Sequence, residues 1–179
     1  HVFGYSMGGR LALGFAIAHP EQVASLILES ATAGLPTAAD RAARRQADAA
    51  KAAHIRQDFP SFVTAWEALP LFASQQQLPA HQQQQIRQQR LQQRPENVAQ
   101  SLIGMGTGAQ PNFWPKLAEV TVKTLLIVGE KDVKFNQLAD KMLQQLPNAQ
   151  KAVIADAGHN VHFEQPNQVI ARLKAHVSR

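Results

Sequence analysis

The chain has 179 residues, 45% of them apolar, with 18 Lys and Arg against 13 Asp and Glu, a formal charge of +5, and no cysteine. That length allows one domain with a substantial core, and no run approaches the roughly 20 consecutive apolar residues that a bilayer span needs. The lack of thiols excludes disulfides and thiolate metal sites, and a single Tyr with scattered basic residues argues against nucleic-acid binding despite the positive charge.

Only Val2 and Phe3 precede the first turn, too few for a strand of the usual about 5–6 residues. The chain is therefore expected to start inside a strand, as a piece of a longer protein whose N-terminal strands are absent. Gly4-Tyr5-Ser6-Met7-Gly8 then has the G-x-S-x-G pattern of a nucleophile elbow, in which a strand turns sharply into a helix and exposes the serine hydroxyl. From Met7 to His19 the apolar Leu11, Leu13, Phe15 and Ile17 among small residues predict a helix packed on a sheet, stopped at Pro20.

The continuous apolar run of residues 23–28 predicts a strand buried on both faces, as in parallel sheets. Residues 38–58 read as a long helix. Pro60 interrupts, and Phe62, Val63, Trp66 and Leu69 keep helical spacing to Pro70. Pro79 opens a helix in the glutamine-rich stretch of residues 75–93, and another runs from Pro95 to about Gly104. The buried-strand pattern returns at residues 124–129, with a helix over 135–146, a short strand over 151–154, and a closing helix from Pro166 to about Val177. The expectation is an α/β fold, the second half of a doubly wound sheet: a core of residues 1–34 and 112–179 interrupted by a helical cap over residues 35–111.

In open α/β sheets ligands bind beyond the carboxyl ends of the strands. Ser6, Asp132 and His159 each follow a predicted strand, in the order Ser, acid, His of the α/β-hydrolases. His159 would take the proton of Ser6 while Asp132 fixes the imidazole tautomer. Glu130 and Asp156 are rival acids and His162 a rival base; His159 is preferred because Gly158 frees the backbone beside it. Arg10 lies four residues after Ser6 on the same helix, a place for a substrate anion. Arg41, Arg44, Arg45, Arg87, Arg90 and Arg94 are further candidates for anion contacts, against the plainer reading of solvated helix faces.

Together these residues resemble the α/β-hydrolase-fold family of 2-succinyl-6-hydroxy-2,4-cyclohexadiene-1-carboxylate synthases of menaquinone biosynthesis. The likeness is carried by Gly4-Tyr5-Ser6-Met7-Gly8-Gly9-Arg10, by Gly34-Leu35 with Ala42-Ala43-Arg44, and by Trp66 with the segment 70–74. It continues through Gly129-Glu130-Lys131-Asp132-Val133-Lys134-Phe135 and Ala157-Gly158-His159-Asn160-Val161-His162 with Glu164 and Pro166. The resemblance implies a cytoplasmic lyase that eliminates pyruvate from 2-succinyl-5-enolpyruvyl-6-hydroxy-3-cyclohexene-1-carboxylate, a small anionic substrate, with no metal or organic cofactor and no nucleic-acid or membrane partner; it leaves the oligomeric state undetermined. It implies Ser6, Asp132 and His159 as the reacting groups, the Met7 amide as half of an oxyanion hole, and Tyr5, Arg10, Arg44, Trp66 and Arg90 as substrate contacts. The other half of the hole comes from a loop after an early strand of the fold, so the chain alone is expected to be inactive. The residues leave two other readings open: a serine esterase or carbon–carbon bond hydrolase using the same triad, and a non-catalytic anion-binding module.

Overall fold

The computed structural model describes residues 1–178. In chain order the elements are β1 (Val2–Tyr5), α1 (Met7–Ala18), β2 (Leu26–Glu29), α2 (Ala38–Gln57), α3 (Phe59–Glu67), α4 (Ala80–Leu91), α5 (Pro95–Met105), β3 (Thr124–Gly129), α6 (Val133–Leu143), β4 (Ala149–Ile154), α7 (Val161–Glu164) and α8 (Pro166–Val177). Short 3₁₀ turns cover Pro20–Gln22, Pro70–Gln77 and Trp114–Glu119. The chain divides into two compact units, one of residues 1–33 with the chain from Phe113 onward, the other Gly34–Asn112.

The first unit is a parallel sheet in the order β1-β2-β3-β4 with helices on both faces. Register pairs Val2 with Leu26, Leu26 with Thr124 and Thr124 with Ala149, so the strands start level and β1, β2 and β3 bring their carboxyl ends to one edge. Every residue of β2 and β3 is buried, the reason both read as unbroken apolar runs. Leu28, Leu126 and Val128 face Leu13 of α1 and Met142 of α6 on one side. Ile27, Ile127 and Ile154 face Val161 and Val169 on the other. Each such aliphatic side chain contributes about 1.5–3 kcal/mol of burial.

Several boundaries differ from the sequence expectation, each for a local reason. The second strand begins at Leu26 rather than Val23: Val23 is buried in the approach, and pairing with β1 starts where the Ser25 carbonyl accepts the Val2 amide (2.9 Å). Helix α6 starts at Val133 because Asp132 caps it, its Oδ1 accepting the Phe135 amide at 3.1 Å.

The second unit is helical throughout its described length. Thr37 caps α2 through the Asp40 amide, and Asp58 ends α2 while capping α3 through the Ser61 amide. Pro60 therefore stands in the first turn of α3, where its missing N–H is harmless. Ala52, Ile55, Phe62, Val63 and Ala99 form this unit's core. Across its surface Arg56 holds Glu96 by two hydrogen bonds of 2.8 Å, which push the carboxyl down to about 2. Only Ile86 of the glutamine-rich α4 is buried.

Candidate active site

Ser6 stands between β1 and α1 with φ 49° and ψ −109°, a conformation that costs a non-glycine residue about 1–3 kcal/mol. It is held by two backbone bonds: its amide donates to the Glu29 carbonyl (2.8 Å), and its carbonyl accepts the Arg10 amide (3.1 Å). The turn is tight because Gly4 and Gly9 touch. A Cβ on Gly4 would overlap the backbone of Gly8 and Gly9, and one on Gly9 would lie 2.6 Å from the Ala31 Cβ. At Gly8, by contrast, a Cβ would meet open space, so the closing glycine of the five-residue motif is not the one that the packing requires. Helix α1 opens at Met7 with no side-chain cap and no acidic residue in its first turn, which leaves the positive end of the helix turned toward whatever charge develops at Ser6.

His159 is 2% exposed and bridges the other two residues. Its Nδ1 lies 2.7 Å from Asp132 Oδ2, and its Nε2 lies 3.1 Å from Ser6 Oγ. A carboxylate can only accept, so Nδ1 carries the proton and Nε2 presents its lone pair to the hydroxyl. An imidazole in this state can take a proton from Ser6, and the buried Asp132 opposite stabilises the cation that results. Asp132 does two jobs at once: Oδ1 caps α6 and Oδ2 orients His159. The Phe135 ring packs on the imidazole at 4.5 Å between centroids, and Tyr5 leans on it at 5.4 Å.

The loops carrying the acid and the base are joined at Gly129. A Cβ there would overlap the carbonyls of Ala157 and Gly158, so only glycine lets the end of β3 come this close to the His159 loop. The Lys131 amide then donates to the Ala157 carbonyl (2.9 Å). Glu164 secures the loop from its other side, accepting the amides of Gly158 (2.7 Å) and Asn160 (3.2 Å) around His159. Of the rival candidates, Glu130 accepts the Asp156 amide, Asp156 is exposed, and His162 bonds to Glu29. Sequence reasoning missed Glu29. It is the polar residue at the carboxyl end of a buried apolar run, a signal close to the one that singled out Asp132.

Arg10 is buried at 8% exposure within α1. The remaining candidates lie in the helical unit. Arg44 directs Nε to both oxygens of the buried Asp48 (2.8 and 2.9 Å), where Lys51 also binds at 3.2 Å. Arg90 bonds to Glu67 (3.1 Å) and Gln75 (2.9 Å) and stacks over the Phe72 ring. Trp66 stacks on Phe62, and Trp66 and Arg90 line one apolar cavity of about 170 Å³, which Arg44 does not reach. Among the described residues no cluster of His, Asp and Glu could hold a metal ion, and no helix is long and apolar enough to cross a membrane.

The chain is similar to several known proteins. It is 45% identical over 166 residues to a Bacillus subtilis (strain 168) protein named provisionally as a 2-succinyl-6-hydroxy-2,4-cyclohexadiene-1-carboxylate synthase, covering 92% of this chain and 61% of that protein. It is 33% identical to the synthase of that name from Citrobacter koseri, covering 95% of this chain and 65% of the relative. The solved structure of MenH from S. aureus superposes with a TM-score of 0.95 at 43% identity, covering 98% of this chain and 66% of that one. The chain thus spans somewhat under two thirds of the length of these relatives. A family model for the alpha/beta hydrolase fold matches residues 1–166, and with the strained serine turn and level parallel strands it establishes that the chain belongs to the alpha/beta hydrolase family.

Proposed function

We propose that the protein carrying this chain is a 2-succinyl-6-hydroxy-2,4-cyclohexadiene-1-carboxylate synthase, a cytoplasmic enzyme of menaquinone biosynthesis that eliminates pyruvate from 2-succinyl-5-enolpyruvyl-6-hydroxy-3-cyclohexene-1-carboxylate. The observation that carries the reading is the Ser6–His159–Asp132 hydrogen-bond chain, in a fold whose relatives bear the synthase name. In the proposed reaction His159 takes the Ser6 proton, and the serine oxygen removes a proton from the substrate ring. The electron pair forms the new ring double bond as the C–O bond to the enolpyruvyl group breaks, and the departing enolate gains a proton to become pyruvate. The Met7 amide, at the positive end of α1, faces the charge that develops.

By the same resemblance Tyr5, Arg10, Arg44, Trp66 and Arg90 are assigned to the substrate's carboxylates and ring, and the helical unit to the role of a cap. A charge-assisted hydrogen bond contributes about 1.5–3 kcal/mol, which gives cationic side chains a purpose in an elimination between anions. Arg10→Ala tests this. It is expected to lower kcat/KM for the enolpyruvyl substrate by at least about tenfold while leaving the hydrolysis of a neutral p-nitrophenyl ester nearly unchanged. Equal loss of both activities would count against an anion contact at Arg10, and ester turnover without any pyruvate release would favour a hydrolase.

A further inference from the structure

A second acid–histidine pair lies near the first, and the imidazoles of both touch the Tyr5 ring. Glu29, at the carboxyl end of β2, is 0% exposed. Its Oε1 accepts two hydrogen bonds from one residue, the His162 amide at 3.1 Å and the His162 Nδ1–H at 2.8 Å, while its buried Oε2 has no hydrogen-bond partner among the described residues. A carboxyl group taken so far from water needs hydrogen-bond donors, because burying it unpaired costs free energy. His162 is the group that meets it. That imidazole stands edge-on to the Tyr5 ring, 5.1 Å away and at 74°, and edge-on to Phe3 at 6.1 Å. Tyr5 also leans on His159, at 5.4 Å between centroids. The phenol ring therefore touches two imidazoles, each anchored by a buried carboxyl group.

We propose that Glu29 and His162 form a brace that fixes Tyr5 beside His159 and so sets how tightly the anionic substrate is held, without taking part in proton transfer at Ser6. The inference rests on the assignment of Tyr5 to substrate binding made above. Glu29 is joined to the elbow twice over, since its carbonyl accepts the Ser6 amide and its backbone pairs in register with Tyr5. The brace is thus tied to the same turn that presents the nucleophile. The titratable groups around His162 are Glu29 from β2, Tyr5 from β1, His159 against the same Tyr5 ring, and Glu164 on the same short helix, whose oxygens are taken by the Gly158 and Asn160 amides. The hydrogen bond to Glu29 raises His162 above the ordinary imidazole range, against the opposing effect of partial burial.

Tyr5 is the only tyrosine of the 179 residues, which makes the brace directly observable. Incorporation of 3-fluorotyrosine into the natural protein carrying this chain gives Tyr5 one ¹⁹F resonance, identified by its loss in Tyr5→Phe. In the unaltered protein that resonance is expected to shift as His162 loses its proton. The step should disappear in His162→Asn, which keeps a donor for Glu29 but lacks the ring. It should move to lower pH in Glu29→Gln, which keeps the size and an acceptor but lacks the charge. In both variants KM for the enolpyruvyl substrate is expected to rise about tenfold, with kcat and p-nitrophenyl acetate turnover within about twofold of the unaltered protein. An identical resonance and titration in all three proteins would overturn the brace, as would a fall in kcat at constant KM. If the unaltered protein releases no pyruvate, the lyase reading fails, and the fluorine titration still decides whether His162 holds Tyr5.

Discussion

Ser6 keeps its positive φ because its neighbours leave the turn no other course. Gly4 and Gly9 pack backbone against backbone, and the Glu29 carbonyl takes the Ser6 amide. The three glycines of this turn should therefore respond differently to one added methyl group. Gly4→Ala and Gly9→Ala are expected to destabilise the fold by about 1–3 kcal/mol or more, because the new atom meets backbone or a packed Ala31. Gly8→Ala, in open space within a helix, should change stability by less than about 1 kcal/mol. Urea denaturation of the three variants would separate them. Equal losses would show that the turn is held by something other than the Gly4–Gly9 contact. Motif spacing identifies Ser6, yet it cannot rank the glycines, since only the three-dimensional approach shows which hydrogen stands in for a side chain.

Elements place the acid and the base. Buried runs flag β2 and β3 in the sequence because a strand covered on both faces has no polar side to show, and polar residues at their ends mark the chemistry. Asp132 satisfies both readings that its position invites, a helix cap through Oδ1 and a histidine partner through Oδ2, so those readings never competed. The Glu29–His162 pair belongs to no motif order of the kind that joins Ser6, Asp132 and His159, so only the structure brings its two members together. Trp66 and Arg90 are brought to one cavity by the packing within the helical unit, which glutamine-rich sequence on either side of Arg90 obscures. At the same scale, Gly129→Ala should push β3 away from the His159 loop. The expected result is a loss of about 10²-fold or more in turnover, as misplacing a reacting group by about 1 Å does, with retained helical circular dichroism. Unchanged turnover would show that the Asp132–His159 alignment does not depend on this close approach.

At the scale of the whole molecule, two histidines make stability depend on pH in opposite senses. His162 is raised by Glu29, so its contribution is complete below the unfolded imidazole value of about 6.5 and is lost as pH rises through the raised folded value. His176 is lowered, first by burial and then by Lys123. Its folded state prefers the neutral ring, so it penalises the fold as pH falls below about 6.5. The unfolding free energy should therefore fall as pH rises above about 6.5, and His162→Asn should flatten that fall; a slope left intact in the variant would contradict the assignment.

The chemistry itself is tested most directly by following pyruvate release from 2-succinyl-5-enolpyruvyl-6-hydroxy-3-cyclohexene-1-carboxylate by the natural protein carrying this chain and by its Ser6→Ala variant. The account predicts release by the unaltered protein and a loss of about 10³-fold or more in the variant, with the fold intact. Absence of release from a folded protein, or release that survives removal of the Ser6 hydroxyl, would contradict it.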